Sequence, residues 1–306
     1  MQTSLAKPVS FDGVGLHKGQ PVRMRLLPAP ADHGIVFNRV DVTDRNGLIA
    51  ARWDNVTNAR LCTLIENEDG ITVSTIEHIM AALAGCGVHN ALIEIDGPEV
   101  PILDGSSAPF VKGIRAAGLV EVGGQLRALR ILRPVEVTEG EAWARLEPNR
   151  TLEIDFSIDF TDKAIGHQHK RLGMSNGAFV RELMDSRTFC RRADVEMMQK
   201  NGLALGGTYD NAVVIDGDKV LSPGGLRHKD EAVRHKMLDA LGDLLLAGGP
   251  ILGRYVGNRS GHAMTNKLLR AVFATPGAYE WVVLDSEAAD ATPGAGVCMP
   301  HLFAAQ

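Results

Sequence analysis

The sequence predicts an α+β protein of two similar domains, whose equivalent helices face each other and share one site. Three observations carry this. A length of 306 residues corresponds to about two domains. Each half runs through strands, a helix bearing His-x-Met, and strands again. Aligning His78 on His235 also matches Met80 with Met237 and Gly85 with Gly242. The pattern restarts near Val122-Gly123-Gly124-Gln125, which gives domains 1–123 and 124–306. With 45% hydrophobic residues both domains can bury cores, and 23% charged residues excludes disordered and fibrous classes.

In the first half, residues 22–27 and 91–95 carry strand signals. A helix over 75–84 lies between them, with Ser74 as its start signal and Gly85 as its stop. A second helix covers 108–117. In the second half, strand-like runs occupy 130–132, 142–146 and 152–156. Residues 213–221 form a hairpin with Asp216-Gly217 at the turn. A long helix begins near Asp230, with Val233, Met237, Leu241, Leu244 and Leu245 at helical spacing. Strands near 253–256 and 281–284 follow.

A net charge of −5 forecasts no electrostatic binding to nucleic acid. Cys62, Cys86, Cys190 and Cys298 form no CxxC pair, which fits a reduced, cytoplasmic chain. The opening residues lack the apolar run of a signal peptide. The longest greasy stretch, 244–252, is far too short to span a bilayer. Any work on lipid is therefore expected from the water side, by a chain taken as a monomer.

His235 and Asp239 are four residues apart, so a helix sets them on one face, about one turn apart. Asp243 continues that face. A solvated stripe with an ordinary ion pair would read the same way. A hydrolytic zinc site needs three protein ligands and one open position, and His78 is the best third donor. It sits in the otherwise apolar run 76–83, beside Glu77. Glu77 has two competing uses. Ser74-x-x-Glu77 is a capping box, in which the carboxylate bonds the cap amide. A glutamate beside a ligand histidine also resembles the H-E-x-x-H logic, in which the carboxylate takes the proton of a metal-acidified water. The order here is Glu-His with distant partners, so that motif itself is not matched. Arg259-Ser260-Gly261-His262 offers a loop histidine that could act as general acid or stabilise charge, with Asp243 orienting it. Taken alone, it reads equally as a surface histidine.

The remaining histidines, His17, His33, His89, His167, His169, His228 and His301, have no companion at ligand spacing. His17 supports a turn, and His167-Gln168-His169 reads as a surface strand or loop. Leu205-Gly206-Gly207 lacks the Gly-Lys-Ser/Thr of a phosphate loop. Asp216-Gly217-Asp218 is a turn rather than a calcium loop.

Seven marks stand in order along the chain. They are Asp12-Gly13-Val14-Gly15-Leu16-His17-Lys18-Gly19, Ser74-Thr75-Ile76-Glu77-His78, Asp104-Gly105-Ser106-Ser107 and Ser186-Arg187-Thr188-Phe189. Leu205-Gly206-Gly207, Val233-Arg234-His235-Lys236-Met237-Leu238-Asp239 and Ser260-Gly261-His262 complete the set. With them the chain closely resembles the zinc-dependent UDP-3-O-acyl-N-acetylglucosamine deacetylases of lipid A biosynthesis, over most of its length. The resemblance implies two α+β sandwich domains with the helices packed between the two sheets. It implies Zn²⁺ on His78, His235 and Asp239, with Glu77 as general base. His262 would stabilise the oxyanion or protonate the leaving amine, Thr188 would help hold the oxyanion, Asp243 would orient His262, and Lys236 would add positive charge. The implied reaction hydrolyses the 2-acetamido group of a UDP-linked acylated amino sugar.

The resemblance also implies an apolar passage for the acyl chain, built from 189–207 and so beginning at Phe189. Val195, Met197, Met198 and Leu203 are its candidate walls, although the same spacing fits plain core. Phe160 would stack on the uracil. Many relatives continue Arg-Thr-Phe with Gly-Phe, whereas this chain has Cys190-Arg191, which changes the expected nucleotide contacts. Arg259 stands where relatives often carry lysine and keeps a positive charge for the diphosphate. A deacetylase of another acetylated sugar keeps the same site. A non-catalytic nucleotide-sugar sensor is disfavoured, because Glu77, His78, His235, Asp239 and His262 are all present.

Overall fold

The computed structural model describes residues 1–59 and 61–297, so Cys298 and His301 lie outside the described residues. The first unit opens with β1 (Gln2–Leu5), β2 (Val9–Val14), β3 (Pro21–Pro28), β4 (Ile35–Arg39) and β5 (Leu48–Ala50). A small meander follows: β6 (Val56–Asn58), β7 (Leu64–Glu66) and β8 (Thr72–Ser74). Then come α1 (Glu77–Cys86), β9 (Ala91–Ile95), α2 (Ala108–Ala117) and β10 (Leu119–Gly123). The second unit begins with β11 (Arg127–Ile131), β12 (Val135–Glu139), β13 (Ala142–Glu147), β14 (Glu153–Asp159) and β15 (His167–Gly173). An insertion follows: α3 (Ala178–Glu182), β16 (Phe189–Arg191), α4 (Arg192–Lys200), β17 (Val213–Asp216) and β18 (Lys219–Val220). The chain continues through α5 (Glu231–Leu245), β19 (Ile251–Leu252), β20 (Arg254–Asn258), α6 (His262–Ala274), β21 (Tyr279–Val283) and α7 (Ser286–Asp290).

The two units share one plan. Their main sheets run β2-β3-β9-β4-β5 and β12-β13-β20-β14-β15. In each, the pairs β4–β9 and β14–β20 are parallel and the others antiparallel. The strand that completes the parallel pair always follows the first long helix and precedes the second. The duplication hinted at by three matched residues is thus a repeat of whole topology.

Period-two alternation builds the sheets. In β3, Val22, Met24 and Leu26 are buried while Arg23 and Arg25 face water; in β14, Ile154, Phe156 and Ile158 turn inward. The helices lie between the sheets and behave differently. α1 buries every residue but Ala84, and α5 buries all but Arg234, Lys236 and Leu245. A helix covered on all sides must be apolar all round or satisfy its polar groups internally. α1 packs against α5, while α2 rests on β2, α6 on β12 and β13, and α5 on β14 and β15. At Gly242 the two central helices nearly touch: a Cβ there would collide with the Glu77 carbonyl oxygen.

Two expectations for α1 are corrected. Ser74 belongs to β8, pairs with Leu64, and donates its hydroxyl to the Pro98 carbonyl at 3.2 Å. No side chain caps the helix, so the capping box does not form and the Glu77 carboxylate is released for other use. The stop is Gly87, not Gly85. Gly87 adopts φ 74° and caps the last carbonyls, whereas Gly85 accommodates the Phe179 ring. Among the described residues no helix is long and apolar enough to cross a membrane, and Cys62, Cys86 and Cys190 form no disulfide.

Candidate metal centre

The site forms where the N-terminal half of α1 meets the middle of α5. His78 and Glu77 open α1; His235, Lys236, Asp239 and Asp243 come from α5. The solvated-stripe reading fails, because His235, Asp239 and Asp243 are each less than 5% exposed. Ligand atoms of His78, His235 and Asp239 all lie within 4.8 Å of one another. Asp239 Oδ1 is 3.3 Å from His235 Nε2 and 3.7 Å from His78 Nε2.

The partners of these groups leave their ligand atoms free. His235 Nδ1 lies 3.0 Å from the Ser186 carbonyl and donates to it, so Nε2 keeps its lone pair. Lys236 Nζ donates to Asp239 Oδ2 at 2.8 Å. Asp239 Oδ1 is buried with no hydrogen-bond partner, an acceptor that needs a cation or a donor. Burial and the neighbouring His235 hold His78 down at about 3. Burial also lowers His235, against the pull of Asp239. Burial alone would raise Asp239, but His235, Lys236 and His262 hold it far below the usual carboxylate range. Two neutral imidazoles and one ionised carboxylate are the donor set that a divalent ion requires.

His262 does not lie on a loop. It is the first residue of α6, a helix absent from the sequence-based expectation. Its Nδ1 is 2.8 Å from Asp243 Oδ2, and its Nε2 is 3.8 Å from both Glu77 Oε1 and Asp239 Oδ2. Asp243 thus holds one ring nitrogen of His262. Burial would lower His262, but Asp243, Glu77 and Asp239 outweigh it and raise the imidazole to about 9. Burial raises Glu77 to about 7, against the charge of His262.

Sequence reasoning missed Thr63. Its amide donates to Glu77 Oε2 at 3.0 Å and its hydroxyl to Asp243 Oδ1 at 2.6 Å. No local pattern around Leu61-Cys62-Thr63 signals this, because both partners are remote in sequence. Glu99 was also missed. Its carboxylate accepts from the amides of His17 and Lys18 and from the Thr75 hydroxyl. His17 thus supports a turn, as expected, through its backbone.

Phe189 lies edge-on to Phe160, with ring centroids 5.5 Å apart, and 6.3 Å from the His235 ring. Phe160, Phe189 and His235 thus form a chain of edge-on ring contacts. Arg191 Nε pairs with Asp162 at 2.6 Å, two residues beyond Phe160, and Arg259 pairs with Asp159 and Glu141. Thr188 is half-buried, its amide on the Gly105 carbonyl at 2.8 Å. The helix α4 buries no residue, so its Met and Val are not plain core. Val195, Met198 and Leu203 are half-buried, but Met197 is 58% exposed and is not an enclosed wall. Phe189, Val213 and Ile215 line a small apolar pocket with room for little more than a water molecule. Another pocket lies at the far ends of α1 and α5, among Leu241, Leu244 and Val88, away from this chemistry.

The model of the UDP-3-O-acyl N-acetylglycosamine deacetylase family matches residues 2–274. The chain belongs to this family. Membership makes it a hydrolase of the deacetylase class. The chain is 47% identical over 292 residues to the UDP-3-O-acyl-N-acetylglucosamine deacetylase of Idiomarina loihiensis, covering 95% of each chain. It is 45% identical to the enzyme of that name from Shewanella frigidimarina and 44% to that from Shewanella oneidensis, covering 94% of each chain in both cases. The family match contains every site residue named above, from Thr63 to His262.

Proposed function

We propose that this deacetylase removes the 2-acetyl group of UDP-3-O-[(3R)-3-hydroxyacyl]-N-acetylglucosamine. The products are UDP-3-O-acyl-glucosamine and acetate, in the committed step of lipid A biosynthesis in the cytoplasm. The observation that carries the reading is the convergence of His78, His235 and Asp239 beside the Glu77–His262 pair. Zn²⁺ held by those three residues would polarise the amide carbonyl and acidify the attacking water.

The chain's own groups supply the rest. Glu77, raised to about 7, takes a proton on its carboxylate and can return it at neutral pH. His262, kept protonated by Asp243, sets positive charge beside the developing oxyanion or gives its Nε2 proton to the departing amine. Lys236 adds a second cation, and Thr188 helps hold the oxyanion. Phe160, Phe189 and Arg259 would meet the nucleotide side of the substrate, with Arg191 adding a cation that Asp162 pairs. The acyl chain would leave past Phe189.

We place the boundary between the two units at residues 123 and 124, so the site straddles both. A monomer is the proposed working form. Mass analysis of the purified protein's product tests the substrate. Loss of a single acetyl group from the acylated UDP-sugar is expected; an unchanged mass, with another acetylated sugar turned over, contradicts the assignment.

A further inference from the structure

The metal centre leaves one buried charge pair without a role. The side chains of Arg187 and Glu231 are 7% and 1% exposed. Arg187 Nε donates to Glu231 Oε1 at 2.9 Å, and Nη2 donates to Oε2 at 3.2 Å. The Arg187 backbone amide reaches the same Oε1 at 3.0 Å, so the carboxylate grips main chain and side chain together. The Arg227 amide donates to Oε2 at 2.6 Å, and Arg187 Nη2 also reaches the Gly225 carbonyl at 2.7 Å. A buried ion pair is a poor stabiliser, because desolvation offsets its attraction. Its geometry is the more informative property.

That geometry encloses two functional positions. Ser186 precedes Arg187, and its carbonyl accepts the His235 Nδ1 proton. Thr188 follows, tied to Gly105 and Val213 through its own backbone. Glu231 lies four residues before His235, one turn away on the same helix. The links therefore close a ring: Glu231, Arg187, the Ser186 carbonyl, His235, and back along α5. Within this ring the imidazole cannot turn without losing its hydrogen bond to the Ser186 carbonyl, and that carbonyl is held in place by the buried ion pair on the next residue.

We propose that Arg187 and Glu231 are positioning residues: their pair fixes the Ser186 carbonyl against His235, aims its Nε2 at the metal, and sets Thr188 beside it. The inference rests on the metal reading above. It differs from a mere staple for the start of α5, because it couples the pair to ligand geometry.

Arg187→Lys keeps the charge but loses the planar fork. Glu231→Gln keeps the shape but loses the charge and one acceptor. Zinc affinity of each variant is measured by competition with a chelator, alongside kcat, KM, the unfolding midpoint and the visible spectrum of the cobalt-loaded protein. The expected result is folded protein with zinc affinity weakened about tenfold, a lower kcat at unchanged KM, and a shifted cobalt spectrum. Zinc affinity and kcat within about twofold of the parent, whatever happens to the unfolding midpoint, would overturn the proposal. So would failure of both variants to fold, which would mark the pair as a staple. A parent that binds no zinc would instead overturn the metal reading, and this inference with it.

Discussion

The Thr63 hydroxyl donates to Asp243 at 2.6 Å, joining a loop of the first unit to the central helix of the second. The amide of the same residue holds Glu77. One threonine thus fixes both the carboxylate assigned to proton transfer and the one bonded to His262. Thr63→Val keeps the amide and removes the hydroxyl, leaving a buried carboxylate oxygen without its donor. Loss of roughly 1.5–3 kcal/mol of stability is expected, read as a lower urea midpoint, together with a lower kcat. An unchanged midpoint would mean that Asp243 finds another partner.

The contact of Gly242 with the Glu77 carbonyl sets the spacing of α1 and α5. A methyl group there meets backbone, which cannot rotate away. Gly242→Ala should destabilise by about 1–3 kcal/mol and lower zinc affinity, since it pushes His78 from His235. Thermal unfolding and chelator competition check both. A variant with native melting and native zinc affinity would show that the helices can separate freely.

Glu77 and His78 are adjacent but are assigned different work. Glu77→Ala should retain zinc and lose about 10²–10⁴-fold in kcat. His78→Ala should lose zinc itself. Metal analysis beside kinetics separates the two, and near-normal turnover by the Glu77 variant would remove it as the base.

His89 offers a pH dependence away from the metal. Its Nδ1 accepts the Thr3 amide at 3.1 Å, so that nitrogen must be unprotonated. Burial lowers the imidazole from 6.5 to about 4. The unfolded chain therefore takes up the proton first as pH falls. The stability that His89 contributes is complete above about pH 6.5 and is lost towards pH 4, by at most roughly 3 kcal/mol. Urea unfolding of metal-free protein at pH 7 and pH 5 should show a larger loss for the parent than for His89→Asn. The other depressed histidines act in both proteins and cancel. Equal losses would assign the effect to them alone.

Much of this molecule was legible in the sequence. α2 and β9 fall where their patterns put them, and the hairpin turns at Gly217 as expected. The clustering of His78, His235 and Asp239 was readable because His235 and Asp239 share a helical face and Glu77-His78 interrupts an apolar run. The capping box misled because Ser74 had a stronger claim as an edge of β8, a strand too short to signal itself. α6 escaped notice because Gly261 stands at its start and no side chain caps it. Thr63 and Glu99 act through contacts far apart in sequence, and short-range patterns carry no trace of them. The identical order of the two main sheets was visible only as three aligned residues.

The most direct test of the account is acetate release from UDP-3-O-(3-hydroxyacyl)-N-acetylglucosamine by purified protein. Metal content is measured before chelation, after it, and after zinc is restored. The account predicts chelator-sensitive release that returns with about one zinc per chain. Undiminished release from metal-free protein, or no release from protein holding its zinc, would contradict it.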